Sequence, residues 1–498
     1  MYSFINPSVY GKPGNFELTD ILLTSYRSGN NDNTPTKIDI KSLILEVNIY
    51  ESIFNKTLSG NVVLADANNI ISQYPLTGFE RIEFKLRSPG ISRLFDFSEK
   101  SGHPMYIYQV SDRNELSPRS QAYIIHFCSK EMLRNEQITV KKSYKDTISN
   151  IASSLLYEEN NLDTQKKFFV EPSYGVHQYV FPQILPFECI DLISKEARSL
   201  KYNNSGFYFF ETADGFNFKS LENLLAITTE VGRPAMARFE SIPANTRDQP
   251  MGQKDIGREM AIIQEFKVLS QFDTLKNLRN GVYGSHLITH NLLEKTFRDT
   301  KFDYFDDFSL SFHTELRRNG RAVVEQGITP FTKFYKNKFI SQETGVLYVK
   351  SSTTQLHNDV EVPEQPQILQ KRLSQRLAFE SFRVQLKVHG FTGLSAGDIV
   401  TLILPSYGVS DKTDPKDQDP ILSGRYIIAS IRHSVNQIDK KHYMYLECLK
   451  DSVKIPFASE FIDTFTDREK SEKGLINQYI QDEADILNDT ATNQIFKT

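Results

Sequence analysis

The stretch that most limits how this 498-residue chain can fold is Glu380 to Lys450. Phe382, Val384, Leu386 and Val388 alternate with Arg383, Gln385, Lys387 and His389. Strict alternation of apolar and polar residues fits an extended strand with one buried face, and no helix can satisfy it. Gly390, Gly393 and Gly397 interrupt the pattern. Ile399 to Leu404 follows as an apolar strand stopped by Pro405. Gly424 then releases a third strand, Tyr426 to Val435, and a polar turn at Asn436 to Lys441 leads into a fourth, His442 to Lys450. Four consecutive strands with hairpin-like connections predict an antiparallel sheet, most simply a small barrel, which leaves few free edges.

The N-terminal region is also β in character. Leu43, Leu45, Val47 and Ile49 alternate with Ile44, Glu46, Asn48 and Tyr50; Ile82, Phe84 and Leu86 alternate with Glu83, Lys85 and Arg87. Tyr106–Val110 and Ala122–Cys128 supply further strands. Between them, Gly60, Asp66, Asn68, Pro75, Leu76, Gly78 and Glu80 punctuate a strand, a turn, a loop and another strand. Asp66 and Asn68 suit the turn, and Glu80 is placed to accept from backbone donors in the loop.

Two sets of residues resemble one known family. Gly60, Asp66, Asn68, Pro75, Leu76, Gly78 and Glu80 stand in an order similar to its first barrel: a strand, a D-x-x-N turn, a P-L-x-G-x-E loop and another strand. Leu394, Gly397, Asp398 and Val400 resemble its L-x-x-G-D-x-V strand opening, and Tyr426, Ile428, His433 and Tyr443–Leu449 resemble its closing hairpin. The family is the baseplate hub subunit of contractile-tailed, myovirus-type phages, related to the base of the VgrG spike of type VI secretion. The resemblance covers most of residues 40–300 and 375–450. It implies a mainly β fold with α/β parts: two antiparallel β-barrel, tube-like domains, an α/β module, an insertion and a helical C-terminal tail.

On that reading the first barrel spans 1–135, and the α/β module (helix, helix, hairpin) spans 136–230. The second barrel combines 231–280 with 375–452. The insertion is 281–374 and the tail is 453–498. In the module, Tyr144, Ile148, Ile151, Ala152, Leu155 and Leu156 share one helical face. Pro186 opens a second helix carrying Cys189, Ile190, Leu192, Ile193 and Ala197, since proline suits a first turn. Asp214–Gly215 marks a hairpin turn. Met260–Val268 reads as a strand, Ser270–Leu278 as a short helix, and Gln367–Ala378 as a longer helix. In the tail, Leu475, Ile476, Tyr479, Ile480, Ala484 and Leu487 recur at helical spacing.

Composition narrows the function classes. The formal charge of -4 argues against a protein built to hold nucleic acid. The N-terminus lacks the basic start and apolar core of a signal peptide, and no apolar run is long enough to span a membrane. Cys128, Cys189 and Cys448 lie far apart with no C-x-x-C, as expected of buried thiols in a reducing compartment. Tryptophan is absent while Phe (35) and Tyr (23) are abundant, which suits strands.

Candidate chemistry is sparse. His286 and His290 have the spacing of a zinc helix, but Leu287 stands where a metalloprotease needs Glu. Tyr283, Gly284 and Thr289 favour a strand, which would hold the two histidines about 13 Å apart. Asp411, Asp414, Asp417 and Asp419 cluster without the central Gly and final Glu of a calcium loop, and read as a solvated connection. Cys128 beside His126 reads as strand packing rather than a nucleophile pair. Lys371, Arg372, Arg376, Arg383 and Lys387 read as a solvated face or a protein contact, with phosphate binding as the alternative. No catalytic, cofactor or metal residue is assigned, and no cofactor is expected.

The resemblance implies a non-enzymatic virion protein at the centre of a tail baseplate, made in the host cytoplasm. It implies a homotrimer whose two barrels per chain mimic six-fold symmetry, joining a hexameric tail tube protein to a trimeric central spike protein. Other baseplate proteins would bind it, DNA would pass through its ring without specific binding, and it would not insert in a membrane. The alternatives are a phage-associated cell-wall hydrolase with an unmarked acid pair, and the base of a type VI secretion spike.

Overall fold

The computed structural model describes residues 12–25, 35–74, 76–78, 80–202, 204–226, 232–241, 256–291, 295–304, 311–315, 325–326, 347–351, 366–380, 382–405, 419 and 421–453. The protein is mainly β, with large antiparallel sheets. The N-terminal strands are β1 (Glu17–Ser25), β2 (Thr36–Asp39), β3 (Ile44–Ser52), β4 (Ser59–Asp66), β5 (Arg81–Arg87), β6 (Leu94–Asp96), β7 (Met105–Ser117) and β8 (Ser120–Ser129). The central strands are β9 (Ser143–Asp146), β10 (Phe168–Val170), β11 (His177–Val180), β12 (Phe207–Thr212) and β13 (Gly215–Ser220). Then come β14 (Ala237–Glu240), β15 (Glu265–Ser270), β16 (Gly284–Asn291), β17 (Thr296–Asp303), β18 (Glu325–Gln326) and β19 (Leu347–Ser351). The last described strands are β20 (Phe382–His389), β21 (Ile399–Ile403), β22 (Gly424–Asn436), β23 (Lys441–Lys450) and β24 (Ser452–Val453).

The alternation of β20 is realised in three dimensions. Phe382, Val384, Leu386 and Val388 are buried, and Gln385 is exposed. The pattern in β3 is displaced. A bulge between Ile44 and Glu46 turns Ile44 inward with Val47 and Ile49, leaving Leu43 and Leu45 half-buried. The extra residue of a bulge shifts the pleat by one position, so the facing read from simple alternation fails at its start.

The strands expected to form two barrels run on as one 14-stranded sheet in the order β15-β20-β23-β22-β3-β4-β8-β7-β5-β1-β2, with β6, β21 and β14 branching from it. No sheet closes among the described residues. The continuity comes from the length of β22. Its first part pairs with β21 (Ile427 opposite Ile399), and its last part pairs with β3 (Val435 opposite Val47). A bulge between Ile428 and Ser430 marks the change of partner in the β22–β23 register. There the Ile53 amide donates to the Ala429 carbonyl at 2.9 Å.

Side chains cross the same seam. One apolar cluster gathers Leu18 through Phe127 from the N-terminal strands together with Val435. A second gathers Phe239 through Cys448 together with Ile91. Each cluster therefore contains a residue supplied by the other strand group, as expected of packed cores rather than loosely tethered domains.

Between these regions lies a helix-and-hairpin part. The helix Ile148–Tyr157 is capped by Thr147, whose side chain accepts from the Asn150 amide. The helix Pro186–Ser194 begins on its proline. The hairpin of β12 and β13 turns at Ala213–Asp214, and β10 adds to β13 in parallel. Tyr144 lies in β9 rather than in the first helix, and Ala197 lies past the end of the second. Both are nonetheless buried in the cluster that these elements share.

Two expectations need correction. Met260 ends a short helix, Ile256–Ala261, and the strand begins only at Glu265. The following helix is Thr274–Arg279, started by Asp273, whose side chain accepts from the Lys276 amide at 2.9 Å. That cap fixes the start four residues later than the apolar pattern suggested. Beyond it, β16 pairs with β17 antiparallel and with β19 in parallel. A helix at Pro366–Phe379 leads into β20. Most of 306–366, and the tail from 454 onward, lie outside the described residues. Among the described residues, no helix is long and apolar enough to cross a membrane.

Candidate functional site at a three-way junction

An ionised side chain taken out of water needs partners, so buried charges mark positions that the fold has specifically equipped. Glu51, on β3, is 2% exposed. Its Oε1 accepts from the Ala213 amide at 3.0 Å, and its Oε2 accepts from the Ala396 amide at 3.1 Å. One carboxylate thus joins the N-terminal sheet, the β12–β13 turn and the loop before β21. Burial pushes its pKa up to about 7, against the pull of Arg93 and of the two amides.

Arg93 completes the junction from the loop before β6. Its Nε and Nη2 meet the two carboxylate oxygens of Asp214 at 3.2 and 2.8 Å. Nη1 donates to the carbonyls of Leu394 (2.9 Å) and Thr392 (3.3 Å), and Nη2 donates to Ser395 Oγ (2.6 Å). The planar fork of guanidinium donors suits such multiple contacts, which an ammonium group cannot reproduce. Asp398 arranges the same loop: its Oδ2 accepts from the Ser395 amide, and its Oδ1 pairs with Arg233, both at 2.9 Å.

A third set ties the helix-and-hairpin part to the N-terminal sheet. Lys166 is fully buried, with its Nζ 2.7 Å from Glu131 and 2.6 Å from Glu211. Glu211 Oε2 also accepts from the Leu58 amide and from Ser129 Oγ. Burial works against each charge here. Lys166 outweighs it at Glu131, whose pKa is lowered, and fails to do so at Glu211, whose pKa is raised. One cation cannot neutralise two carboxylates, and at Glu211 burial favours the protonated form.

The loop residues singled out in the sequence have local structural work. The Asn68 and Ile70 amides donate to Asp66 at 2.8 Å each. The Gly78 and Thr77 amides donate to Glu80 at 2.8 and 3.0 Å. Pro75 lies outside the described residues.

Among the described residues, the other candidates form no shared site. His286 and His290 sit on strand β16, not on a helix, and His286 faces Asp299 at 3.8 Å on β17. Asp411, Asp414 and Asp417 lie outside the described residues. Asp419 accepts from the Ile421 and Leu422 amides at 2.8 Å as a turn residue. His126 pairs with Ser111 Oγ at 2.8 Å, and burial pushes the Cys128 thiol up to about 12, which makes it a poor nucleophile. The basic cluster divides: Arg383 pairs with Glu447 and Lys387 with Glu265, whereas Arg372 and Arg376 stand together on the helix Pro366–Phe379.

Glu51, Arg93, Lys166 and Glu211 were not identified from the sequence. Their partners lie up to 345 residues away, so no local spacing marks them. The available signal was a charged residue within an apolar strand pattern, and Glu51 after Val47 and Ile49 carried it.

No protein-family model matches the sequence. No curated protein matches it. Among solved structures, the chain is similar to a tail protein from Neisseria meningitidis MC58 at 12% identity and a TM-score of 0.47, over 88% of this chain and 97% of that one. It is similar to a 43 kDa tail protein of prophage MuSo2 from Shewanella oneidensis at 10% identity and a TM-score of 0.42, over 86% and 97%. It is also similar to the prophage tail protein gp18 from Listeria monocytogenes EGD-e at 9% identity and a TM-score of 0.42, over 93% and 100%.

Proposed function

We propose that this chain is a structural subunit of a contractile-tail baseplate, the central hub that joins tail tube to spike. The observation that carries the reading is the passage of one sheet from β4 through β3 and β22 to β23. Two groups of strands, each with its own apolar cluster, are set side by side in one chain. The turn at Asp66 and the loop at Glu80 on one side, and the strand opening at Asp398 on the other, lie in the order that the hub resemblance requires.

On this reading the units at 1–135 and at 231–280 with 375–452 are tube-type domains. Residues 136–230 form the α/β module, 281–374 the insertion and 453–498 the tail. Three copies around an axis place six such units in a ring, so a three-fold assembly matches a hexameric tube on one side and a trimeric spike on the other. Glu51, Arg93 and the Lys166 triad serve as joints, spending their charge on backbone amides, carbonyls and each other. That use supports a structural, non-enzymatic role in the virion.

Light scattering and electron microscopy of the purified chain, alone and mixed with tube and spike proteins, test the reading. Rings of three with a central opening are expected. A monomer under all these conditions overturns it. Release of soluble products from cell-wall material by the chain alone would favour the hydrolase alternative.

A further inference from the structure

A cleft of about 280 Å³ opens where the turn after β3, the end of the helix Pro186–Ser194, strand β12 and the helix Pro366–Phe379 meet. Its charged lining is Lys56, Asp191, Lys195, Arg372 and Arg376. Lys56 and Asp191 pair with each other. Arg376 reaches Glu380 only at 3.5 Å, along its own helix. Among the described residues, the Lys195 and Arg372 side chains make no hydrogen bond or ion pair. The cleft therefore holds more positive than negative charge. Burial, and then the neighbouring Arg376, lowers the pKa of Arg372, so the arginine is held in a setting that disfavours its charge. The wall beside these cations is aromatic: Phe54 is 36% exposed and meets Tyr208 edge-on at 6.1 Å.

We propose that this cleft is a docking site for an acidic side chain of another protein chain, whose carboxylate meets Arg372 and Lys195 and whose apolar stem lies against Phe54 and Tyr208. Charge complementarity selects an anion, and a guanidinium fork matches a carboxylate in two-point geometry. The aromatic wall favours an anion carried on a methylene stem over a fully hydrated inorganic one. Asp191, in the same cleft, penalises a dianion more than a single negative charge. The inference stands apart from the hub reading, since it concerns one cleft of a single chain.

The test uses the full chain and three probes at matched ionic strength: a peptide of four glutamates, its four-glutamine counterpart and inorganic phosphate. Calorimetric titration should show the glutamate peptide binding at least tenfold more tightly than the glutamine peptide. Lys195→Gln, at an exposed position, and Arg372→Gln should each weaken it at least tenfold. Arg383→Gln, away from the cleft, serves as the control for general charge and should leave binding unchanged. Equal binding of both peptides, or an equal loss in the control, overturns the proposal. Phosphate binding as tightly as the glutamate peptide assigns the cleft to free anions and overturns the docking role.

Discussion

The Glu51 carboxylate accepts a hydrogen bond from the Ala396 amide at 3.1 Å across 345 residues of chain. With the bond from Ala213, it fastens three parts of the molecule through one buried group. Its pKa, about 7 in the folded protein against an ordinary 4.5, gives this joint a pH dependence. Between those values the folded state binds more protons than the unfolded state, so stability is fullest below the lower value and falls as pH rises through 7. Glu51→Gln removes the titration. The stability of the natural protein relative to Glu51→Gln should fall by about 2 to 3 kcal/mol from pH 5 to pH 8 in urea unfolding. A constant difference across that range would show that the Glu51 carboxylate keeps its unfolded-state pKa and stays ionised in the folded protein.

Arg93 anchors the same junction from the opposite side. Arg93→Ala leaves the Thr392 and Leu394 carbonyls and Asp214 without their donor. Breaking such a partly buried, multiply bonded pair costs about 3 kcal/mol. Arg93→Lys should recover less than half of that, because one ammonium cannot span Asp214, two carbonyls and Ser395. Denaturant midpoints of the two variants provide the comparison.

His433 and His442 form a buried pair, Nδ1 to Nε2, at 3.1 Å. Phe95 stands edge-on to His433, and among the described residues His433 Nε2 and His442 Nδ1 have no hydrogen-bond partner. Burial pushes His442 down to about 3, and burial with its neighbour holds His433 well below the usual range. For a base with a depressed folded pKa, stability is present above the unfolded value of 6.5 and is lost as pH falls through that value toward the folded one. His442 should therefore remove about 2 kcal/mol between pH 7 and pH 5, and His433 acts in the same direction. His442→Gln should reduce that acid loss, whatever it does to stability at pH 7. An unchanged slope would mean that the pair titrates freely.

What could be read from the sequence depended on range. The facing of β20, the turn at Asp66, the loop at Glu80 and the hairpin at Asp214 are local, and each follows from residues within about a dozen positions. The strand nature of His286 and His290 is local too, fixed by Gly284 and Thr289. The change of partner along β22 is not, because nothing in Gly424–Asn436 names β3 as its neighbour. The joints at Glu51, Arg93 and Lys166 escape for the same reason. Met260 misled because a short helix and a strand present the same few apolar residues. The bulge at Ile44 defeated a facing that simple alternation had favoured.

The facing of β20 allows a direct test. Val384 and Leu386 are buried, and Gln385 between them is exposed. Val384→Asp or Leu386→Asp places an unpaired carboxylate in the second cluster and should cost several kcal/mol, enough to impair folding. Gln385→Asp should stay within about 1 kcal/mol. Soluble yield and thermal midpoint separate the two outcomes.

Gly60 and Gly78 separate two reasons for glycine within one resemblance motif. At Gly60, on β4, an added Cβ would lie 2.3 Å from a ring carbon of Phe127 and 2.4 Å from the Asn48 carbonyl oxygen. Neither can withdraw easily, since Phe127 is fully buried in the first cluster and Asn48 is backbone in the neighbouring strand β3. At Gly78 nothing lies within 4 Å, but φ is +99°. There the cost of a side chain is conformational and local. Gly60→Ala should thus destabilise by about 1 to 3 kcal/mol through overpacking, and Gly78→Ala by about 1 kcal/mol through backbone strain. The sources of the two costs differ in their response to a second change. Phe127→Leu shortens the clashing ring, so Gly60→Ala should cost less in that background than in the natural one, while Gly78→Ala should cost the same in both. Additivity at Gly60 would show that the close approach of β3, β4 and β8 is looser than these distances require.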